Sequence, residues 1–313
     1  MRIFVAGGQG VIARRVVRQL AEQSVEVRVP VGRAERSTAA VLAGALPVPI
    51  DLDDGLALSR ALADIDIVVN LAGEVPRPSR AWRTSAWTSV DREWRDTSRR
   101  LVEAMSSAGG SRFIQASTTL LYPDGGDDWI EESWPVSQTK VTAGAVEAEE
   151  QAQRLTADGQ VGVSLRFGQV YAADSEATRS TLRAARRGLG NTVGTNDGYV
   201  STIHADDAAT AVIAALEVPA GVYNIVEDEP GTKAAQMDAI ASALGIGRLN
   251  STGAAIAALG GSRTRAMSRS HRVSNRRFRD VAGWRAQYPN QAEGWVAVVA
   301  ATARRGRDDQ GAV

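Results

Sequence analysis

The residues with the clearest chemical meaning lie at the start of the chain, where an apolar run is followed by closely spaced glycines. Ile3–Ala6 has the character of a strand, and Gly8-x-Gly10-x-x-Ala13 follows it as the turn into a helical pattern. Glycines at this spacing let the backbone turn tightly and approach a pyrophosphate, and the small Ala13 lets the helix pack close to the strand. The first N–H groups of the helix are free to bind phosphate. The pattern predicts a dinucleotide site, although a glycine-rich turn without a ligand would have the same residues.

The residues after the second and third strand-like runs bear on which dinucleotide is bound. An acidic residue after the second strand binds the ribose hydroxyls of NAD, whereas an arginine accommodates the 2′-phosphate of NADP. Here the second run leads to Arg33 with no acid at its tip, and Arg14 and Arg15 add positive charge after the glycine turn. The sequence therefore predicts NADP in preference to NAD. Asp51 and Leu52 follow the third run and are predicted to contact the adenine, although an exposed turn would have the same residues.

Apolar runs alternate with helical patterns along most of the chain, and this order indicates how the glycine turn is positioned. The runs are Ile3–Ala6, Val25–Val31, Pro47–Ile50, Ile65–Leu71, Arg112–Ser117, Val161–Phe167 and Gly221–Val226. The helical patterns lie at 12–22, 54–64, 90–108, 144–157 and 206–217. Such alternation is typical of βαβ units that form a parallel sheet with helices on both faces. Ligands bind these sheets at the carboxyl ends of the strands. Here Leu71 is followed by the small residues Ala72 and Gly73, which let the backbone approach a cofactor.

We therefore predict an α/β fold, a Rossmann-like doubly wound parallel sheet with a smaller, mostly helical C-terminal substrate lobe. The predicted boundaries assign residues 1–171 and 199–227 to the dinucleotide-binding domain and residues 172–198 and 228–303 to the smaller lobe. Residues 304–313 are polar and charged without an apolar pattern, so they are predicted to be disordered.

The composition excludes several classes of function. The 36 basic and 36 acidic residues leave no net charge, which argues against general binding to nucleic acid or to a membrane surface. No apolar run approaches the roughly 20 residues of a transmembrane helix. The chain has no cysteine and only two histidines, so neither disulfides nor a zinc site is expected. These features predict a cytoplasmic protein without metal, nucleic-acid or membrane partners.

Six segments along the chain carry residues with the spacing of known motifs. They are Gly7-Gly8-Gln9-Gly10-Val11-Ile12-Ala13, Asn70-Leu71-Ala72-Gly73, Phe113-Ile114-Gln115-Ala116-Ser117-Thr118, Leu165-Arg166-Phe167-Gly168-Gln169-Val170-Tyr171, Ile203-His204-Ala205-Asp206-Asp207 and Asn275-Arg276-Arg277. Together they resemble the extended or atypical short-chain dehydrogenase/reductase superfamily, in its NAD-dependent epimerase/dehydratase branch. The resemblance implies that Gly7, Gly10, Val11 and Ile12 hold the cofactor at the glycine turn.

The chain departs from that superfamily at its catalytic dyad. Redox members use Tyr-x-x-x-Lys on the helix after the Ser/Thr strand: the lysine lowers the phenol pKa, and the tyrosine exchanges a proton as hydride moves. None of the five tyrosines here is followed by lysine four residues later. One alignment register places Val136 and Lys140 at the two positions, and a second register places Val141 and Ala145 there. The standard dyad is absent in both registers.

Four candidate catalytic residues remain. The resemblance implies that Thr118 donates a hydrogen bond to a substrate oxygen, and that Lys140 contacts the nicotinamide ribose if the first register holds. Tyr122 and Glu131 are candidates for the missing acid. For Glu131 the reason is that a carboxyl group that is partly shielded from water can titrate near neutral pH. Each also has a structural interpretation, as a strand-end hydroxyl, an exposed helix residue, a packed turn or a loop rim. The same two interpretations apply to Asp128, Glu132 and His204.

Tryptophans are concentrated in the two segments that border the cleft in relatives. They lie at positions 82, 87, 94, 129 and 134. A set of aromatic side chains there predicts an apolar substrate pocket of fair size, although core packing would use the same residues.

These observations predict an NAD(P)-binding oxidoreductase or epimerase/dehydratase-like enzyme that acts on a small molecule through a non-standard catalytic site. Two alternatives stay open. One is a redox-silent isomerase, lyase or cyclase of specialised metabolism on the same scaffold, and the other is a non-catalytic protein that senses NADP. The resemblance also implies a homodimer, since relatives often pair helices.

Overall fold

The computed structural model describes residues 1–32, 44–73, 84–139, 142–190, 192–251 and 262–311. Within helices, only the backbone is described at residues 84–87, 262–263 and 306–311. Arg33, Lys140 and Trp82 therefore lie outside the described residues, as does the side chain of Trp87.

The strands and helices follow the order that the sequence predicts. The strands are β1 (Arg2–Ala6), β2 (Glu26–Pro30), β3 (Leu46–Val48), β4 (Ile67–Asn70), β5 (Arg112–Thr118), β6 (Trp129–Ile130), β7 (Val161–Phe167), β8 (Gln169–Tyr171), β9 (Tyr199–Val200), β10 (Thr202–His204), β11 (Gly221–Ile225), β12 (Gly231–Thr232) and β13 (Arg272–Val273). The helices are α1 (Val11–Glu22), α2 (Gly55–Leu62), α3 (Thr84–Ala108), α4 (Ala143–Ala157), α5 (Glu176–Ala185), α6 (Ala205–Ala214), α7 (Lys233–Leu244), α8 (Ser262–Ser268), α9 (Arg276–Ala282) and α10 (Gln291–Gly311). A short 3₁₀ helix spans Thr119–Leu121. None of the helices within the described ranges is long and apolar enough to cross a membrane.

Seven strands form one parallel sheet in the order β11-β7-β5-β4-β1-β2-β3. All seven apolar runs of the sequence lie in this sheet, so the predicted α/β fold is confirmed. The chain leaves β1 toward β2 on one side and returns through β4 on the other. The crevice between the carboxyl ends of β1 and β4 is the place where such sheets bind dinucleotides.

Both faces of the sheet are covered by helices, and this explains why its strands are apolar throughout. Along β1, Ile3 and Val5 point into a core formed with α1 and α6, whereas Phe4 points into a core formed with α2, α3 and α4. All three side chains are completely buried. The two cores hold the carboxyl ends of the strands at one edge of the sheet.

A third apolar core lies among the C-terminal helices. Leu182 of α5, Met237 of α7 and Trp295 of α10 pack together with Tyr171 at the end of β8. This cluster accompanies the segments assigned to the smaller lobe, whose boundaries stay a prediction. Helix α10 continues to Gly311 and so runs through residues 304–311, where the sequence predicts disorder. The packing of Trp295 anchors the start of α10, and a helix once begun adds further turns at little cost.

Candidate active site

The glycine turn joins β1 to α1 at the carboxyl edge of the sheet. Gly7 has a φ of +75°, and the Gly10 N–H donates to the Gly7 carbonyl oxygen at 2.9 Å. Gly10 begins α1 without a side-chain cap, and the first turn holds no acidic residue. The half-buried Val11 and Ile12 carry the first backbone N–H groups of this helix, the position at which dinucleotide folds bind a pyrophosphate.

The turn is held closely against the end of β4. A Cβ on Gly7 would lie 2.6 Å from backbone atoms of Leu71 and Ala72, so only glycine fits. Asn70 is completely buried: its Nδ2 donates to Gln115 Oε1 at 2.9 Å, and its Oδ1 accepts the Ala72 N–H at 3.1 Å. These bonds fix the backbone at the end of β4 beside the phosphate-binding turn, and the cradle fits the pyrophosphate of a nicotinamide dinucleotide.

Arg14 and Arg15 do not supply free positive charge to this edge. Arg15 Nη2 donates to Asp174 Oδ1 at 2.9 Å, and its Nε donates to Asp206. Arg14 Nη2 donates to Asp174 Oδ2 at 2.9 Å. The two arginines are thus engaged with carboxylates, which corrects their expected contribution to NADP binding.

The residues expected around the adenine half are only partly described. Gly32, after β2, is exposed, and Arg33 follows it outside the described residues. Asp51 is exposed and its Oδ1 accepts the Asp53 N–H at 2.9 Å, whereas Leu52 is half-buried against the core that contains Phe4. Contacts of Arg33, Asp51 and Leu52 with a cofactor stay a prediction.

Thr118 is the last residue of β5, beside Phe167 at the end of β7. Its side chain is half-buried, and its Oγ1 accepts the Leu120 N–H at 3.2 Å, which caps the 3₁₀ helix. That bond uses the oxygen as an acceptor and leaves the hydroxyl hydrogen for another partner. The position suits a hydrogen-bond donor at the carboxyl edge, and the substrate contact itself stays a prediction.

A buried polar network lies directly behind Thr118. Arg166 donates to both carboxylate oxygens of Glu149 at 2.8 and 2.7 Å, and Ser117 Oγ donates to the same carboxylate. Arg166 Nη1 also donates to the Tyr122 hydroxyl at 2.9 Å, which in turn donates to Asn224 Oδ1 at 2.7 Å. Each polar group therefore has a partner, as a buried network requires.

Tyr122 belongs to that network and is completely buried. Burial raises the pKa of its hydroxyl to about 12, although the Arg166 guanidinium acts in the opposite direction. These contacts favour the interpretation of Tyr122 as a packed turn residue, and its role as the acid stays an untested prediction.

The start of α4, where the superfamily places its dyad, is packed against α3. The Gly144 N–H donates to Asp91 Oδ1, and a Cβ on Gly144 would overlap the Asp91 carbonyl oxygen. Ala145 is completely buried. Val136 lies well before α4 begins and is 40% exposed, whereas Ala145, the lysine position of the second register, lies in the helix. Val141, the tyrosine position of that register, lies outside the described residues. A glycine inside a helical pattern was the available signal for this close approach.

The remaining acid candidates have partners within the protein. Glu131 accepts from Arg276 Nη2 at 2.6 Å, at the rim of a cavity of about 300 Å³. Glu132 Oε1 accepts the Asn224 N–H at 2.8 Å, and burial raises the pKa of its carboxyl group. His204 Nδ1 accepts the Asp206 N–H at 3.3 Å at the start of α6, and burial lowers its pKa. These contacts fit the interpretations of Glu131 and His204 as loop-rim and strand-end residues, whereas the raised pKa of Glu132 is the property that the sequence analysis expects of an acid. The assignment of an acid stays a prediction.

The tryptophans divide between packing and the cleft. Trp129 is exposed and lies under the Arg272 guanidinium at 4.3 Å, and Trp134 packs on the small core around Tyr122. Trp94 differs, because its Nε1 donates to the Gly73 carbonyl oxygen at 3.0 Å beyond the end of β4. Of the tryptophans with described side chains in these two segments, Trp94 is the one that the structure places at the carboxyl edge.

Comparison with known proteins found a matching family model and a similar reductase. The family model described as "NAD dependent epimerase/dehydratase family" matches residues 3–226, which contain the glycine turn, Thr118 and α4. The chain is 29% identical over 304 residues to a 3-diazoavenalumate denitrifying reductase from a Streptomyces species, a match that covers 94% of this chain and 99% of the relative.

Solved structures share the fold at low identity. A human epimerase family protein with NADPH has a TM-score of 0.79 and 23% identity, over 96% of this chain and 99% of that one. The UDP-glucose 4-epimerase of Thermotoga maritima with UDP-glucose has a TM-score of 0.79 and 19% identity, over 98% of this chain and 99% of that one. These likenesses support the Rossmann-like sheet and its flanking helices.

Proposed function

The chain belongs to the NAD-dependent epimerase/dehydratase family, and we propose that it is an NADP(H)-dependent reductase whose hydride transfer uses no tyrosine acid. Membership makes it an NAD(P)-dependent enzyme of the short-chain dehydrogenase/reductase type. The preference for NADP and the reduction of a particular acceptor are the proposed parts.

The observation that carries the proposal is the start of α4. Gly144 is pressed against Asp91 of α3, and Ala145 beside it is completely buried. The second register places Val141 and Ala145 at the dyad positions, and neither has a group that exchanges a proton, whereas the glycine turn and the end of β4 keep a cradle for the cofactor. A site that holds the hydride donor but lacks the usual acid suits an acceptor that needs no proton from the protein.

The proposed cofactor half of the site combines the glycine turn with residues beside β2, β3 and β4. The backbone at Gly7, Gly10, Val11 and Ile12 binds the pyrophosphate, and the backbone of 71–73 supports the nicotinamide half. Arg33 binds the 2′-phosphate, and Asp51 and Leu52 contact the adenine. Lys140 contacts the nicotinamide ribose if the first register, with Val136 and Lys140 at the dyad positions, is the correct one. The NADPH in the structure of the human relative supports the choice of NADP. When bound, NADPH supplies the hydride.

We propose an aryl diazo compound as the acceptor, on the strength of the Streptomyces relative that is a 3-diazoavenalumate denitrifying reductase. When hydride reaches an aryl diazonium ion, a carbon–hydrogen bond forms at the ring carbon. The carbon–nitrogen bond breaks, and its electron pair leaves with N₂. NADPH is oxidised to NADP⁺, and the balance requires no proton. This chemistry fits a site without the tyrosine.

Thr118 has a defined part in this reaction. A hydroxyaryl diazonium that has lost its hydroxyl proton is a diazoquinone, and its oxygen gains negative charge as hydride arrives. The phenolate that forms as N₂ leaves then takes one proton from water. The Thr118 hydroxyl, at the end of β5, donates a hydrogen bond to that oxygen. Donors aimed at developing charge are among the strongest contributors to catalysis.

The test is anaerobic incubation of the purified protein with NADPH and 2-hydroxybenzenediazonium. We expect phenol, N₂ and NADP⁺ in equal amounts, at a rate that depends on the protein. Spontaneous reaction with water would give catechol instead, so the product identifies the path. Phenol formation no faster than in a protein-free control would contradict the proposed acceptor.

A redox-silent reaction is the second candidate, and the same observation at α4 favours it because no conventional acid is present. The structure of the Thermotoga maritima relative contains UDP-glucose, which can be used to test whether this chain is an epimerase. Incubation with UDP-glucose and NAD or NADP should leave the sugar unchanged if the chain is the proposed reductase. Epimerised sugar without net change in the cofactor would contradict the proposed reductase and indicate an epimerase, in which the cofactor takes up and returns a hydride. Conversion of a substrate during which the cofactor never changes its oxidation state would favour the redox-silent candidate.

A cytoplasmic homodimer is also part of the proposal. The absence of cysteine supports a reducing compartment, and the relatives' habit of pairing helices supports the dimer. Light scattering after size-exclusion chromatography should give twice the mass of the chain, and the mass of one chain would contradict the dimer.

A further inference from the structure

A hydrogen bond to Gly73 holds Trp94 at the carboxyl edge, and residues with a side chain do not fit at the position of Gly73. The indole Nε1 donates to the Gly73 carbonyl oxygen at 3.0 Å, and a Cβ on Gly73 would overlap the indole ring. Gly73 also has a φ of +109°, which L side chains rarely adopt. The backbone after β4 and the indole are therefore fitted to each other.

The position of this contact relative to the cofactor follows from the sheet. The end of β4 touches the glycine turn through Gly7, and Gly73 follows two residues after Leu71. The adenine half of a dinucleotide lies toward β2 and the nicotinamide half lies on the other side of the reversal in strand order, toward β4 and β5. Trp94 is thus on the nicotinamide side.

The neighbouring turn of α3 places Trp94 near the reacting end of the site. Asp91, three residues earlier on the same helix, accepts the N–H of Gly144 at the start of α4. The indole lies on the same helix turn as this contact, between the end of β4 and the position of the missing dyad. Trp94 is half-buried, so the protein does not enclose this residue completely.

We propose that Trp94 is a positioning residue that forms the apolar wall against which the nicotinamide ring packs. Its only hydrogen-bond donor is used by Gly73, so the ring offers apolar and aromatic contact alone. Aromatic contact of this kind corresponds to about a 3- to 10-fold change in a binding constant. The inference rests on the cofactor site of the proposed function but not on the identity of the acceptor.

The test compares two ligands that differ only in the nicotinamide half. We expect Trp94→Leu to weaken NADPH binding about 3- to 10-fold and to leave binding of 2′-phospho-ADP-ribose unchanged. Trp94→Phe, which keeps an aromatic ring, should restore most of the NADPH affinity. Trp129→Phe is the matched control, because the indole of Trp129, in β6, is exposed and lies under the Arg272 guanidinium. It should bind both ligands as the unmodified protein does.

A second readout uses energy transfer from tryptophan to reduced nicotinamide. Trp94→Phe should lose a larger share of the NADPH-dependent quenching of tryptophan emission than Trp129→Phe. Equal weakening of both ligands in Trp94→Leu would show a structural role alone and would overturn the proposal, as would equal quenching in the two phenylalanine variants. Both measurements report binding only, so failure of hydride transfer to a diazo compound would leave them standing.

Discussion

In the proposed reaction, a single hydroxyl at the end of β5, that of Thr118, stabilises the charge that develops on the acceptor. Thr118 Oγ1 is fixed by the Leu120 N–H at 3.2 Å, which orients the side chain without using its hydrogen. Behind it, the pair of Arg166 and Glu149 and the buried Tyr122 are fully engaged with each other. The site therefore has a positioned donor in front of a closed hydrogen-bonded network.

Replacement of Thr118 tests that role directly. Thr118→Val keeps the shape of the side chain but removes the hydroxyl, so turnover with a diazoquinone should fall by about 100-fold. Thr118→Ser retains the hydroxyl and should keep most of the rate, while both variants bind NADPH normally. Stopped-flow measurement of NADPH oxidation gives the rates. An unchanged rate in Thr118→Val would remove this residue from the mechanism.

A buried carboxyl group shortly after β11, that of Glu227, predicts a pH dependence of stability. Glu227 is 1% exposed, accepts from Thr202 Oγ1 at 2.7 Å, and burial raises its pKa from 4.5 to about 8. A raised pKa means that the folded state holds the proton more tightly than the unfolded state does. The stability from this group is therefore complete below pH 4.5 and is lost as the pH rises through about 8.

Glu227→Gln should therefore flatten the fall in stability across this range, because the amide keeps a donor and an acceptor but does not ionise. Thermal unfolding of both proteins from pH 5 to pH 9 measures the difference in slope. Other carboxyl groups titrate equally in the two proteins and cancel in the comparison. Parallel curves over the whole range would contradict the assigned pKa.

At the scale of single residues, the sequence identified what local motifs determine. The tight turn was recognisable because Gly8 and Gly10 follow a strand at the spacing of a dinucleotide fingerprint. The resemblance added Gly7, whose φ of +75° agrees with such a turn. The role of Tyr122 was not recognisable, because its hydroxyl partners, Arg166 and Asn224, lie 44 and 102 residues away. Burial of that kind depends on tertiary contacts that no local pattern encodes.

At the scale of elements, the contact between α3 and α4 fixes the start of the helix on which the superfamily places its dyad. Gly144 permits the approach, and Asp91 binds the first turn of α4. Gly144→Ala should force the two helices apart and lower the free energy of unfolding by about 1–3 kcal/mol. Urea unfolding measures this loss.

Gly55→Ala is the matched control for that variant. Gly55 begins α2 and has no atom within 4 Å of an added Cβ, so the change should leave stability within about 0.5 kcal/mol. Equal effects of the two substitutions would show that the α3–α4 contact is looser than described.

The order of elements was predictable because the strands are buried on both faces and are apolar throughout. Strand β7 was predicted with both of its ends correct, at Val161–Phe167. Helix α3 begins at Thr84, whereas the pattern predicts a start at residue 90, since residues 84–89 have few apolar side chains to set a period. The dyad register was not decided by the sequence, because it depends on where α4 begins.

At the scale of the whole molecule, cofactor binding should stabilise the fold, and the choice of cofactor should depend on charge beside β2. A ligand at 100 times its dissociation constant raises the free energy of unfolding by about 2.7 kcal/mol. NADPH should therefore raise the Tm more than NADH at equal concentration. Arg33→Ala should remove the difference between the two cofactors.

Arg14→Ala is the control for that prediction. Arg14 is engaged with Asp174 at 2.9 Å, so its loss should leave the preference for NADPH unchanged. Retention of the preference in Arg33→Ala, or its loss in Arg14→Ala, would contradict the assignment of the 2′-phosphate site to Arg33.

The central claim is that hydride moves from NADPH to the acceptor without a proton from the protein. The most direct measurement is a single turnover of 2-hydroxybenzenediazonium with NADPH deuterated at C4, carried out in H₂O and in D₂O. We expect one deuterium at the ring carbon that held nitrogen. We also expect equal rates in the two solvents, because no proton transfer limits the step. Product without that deuterium, or a rate about 2-fold or more slower in D₂O, would contradict it.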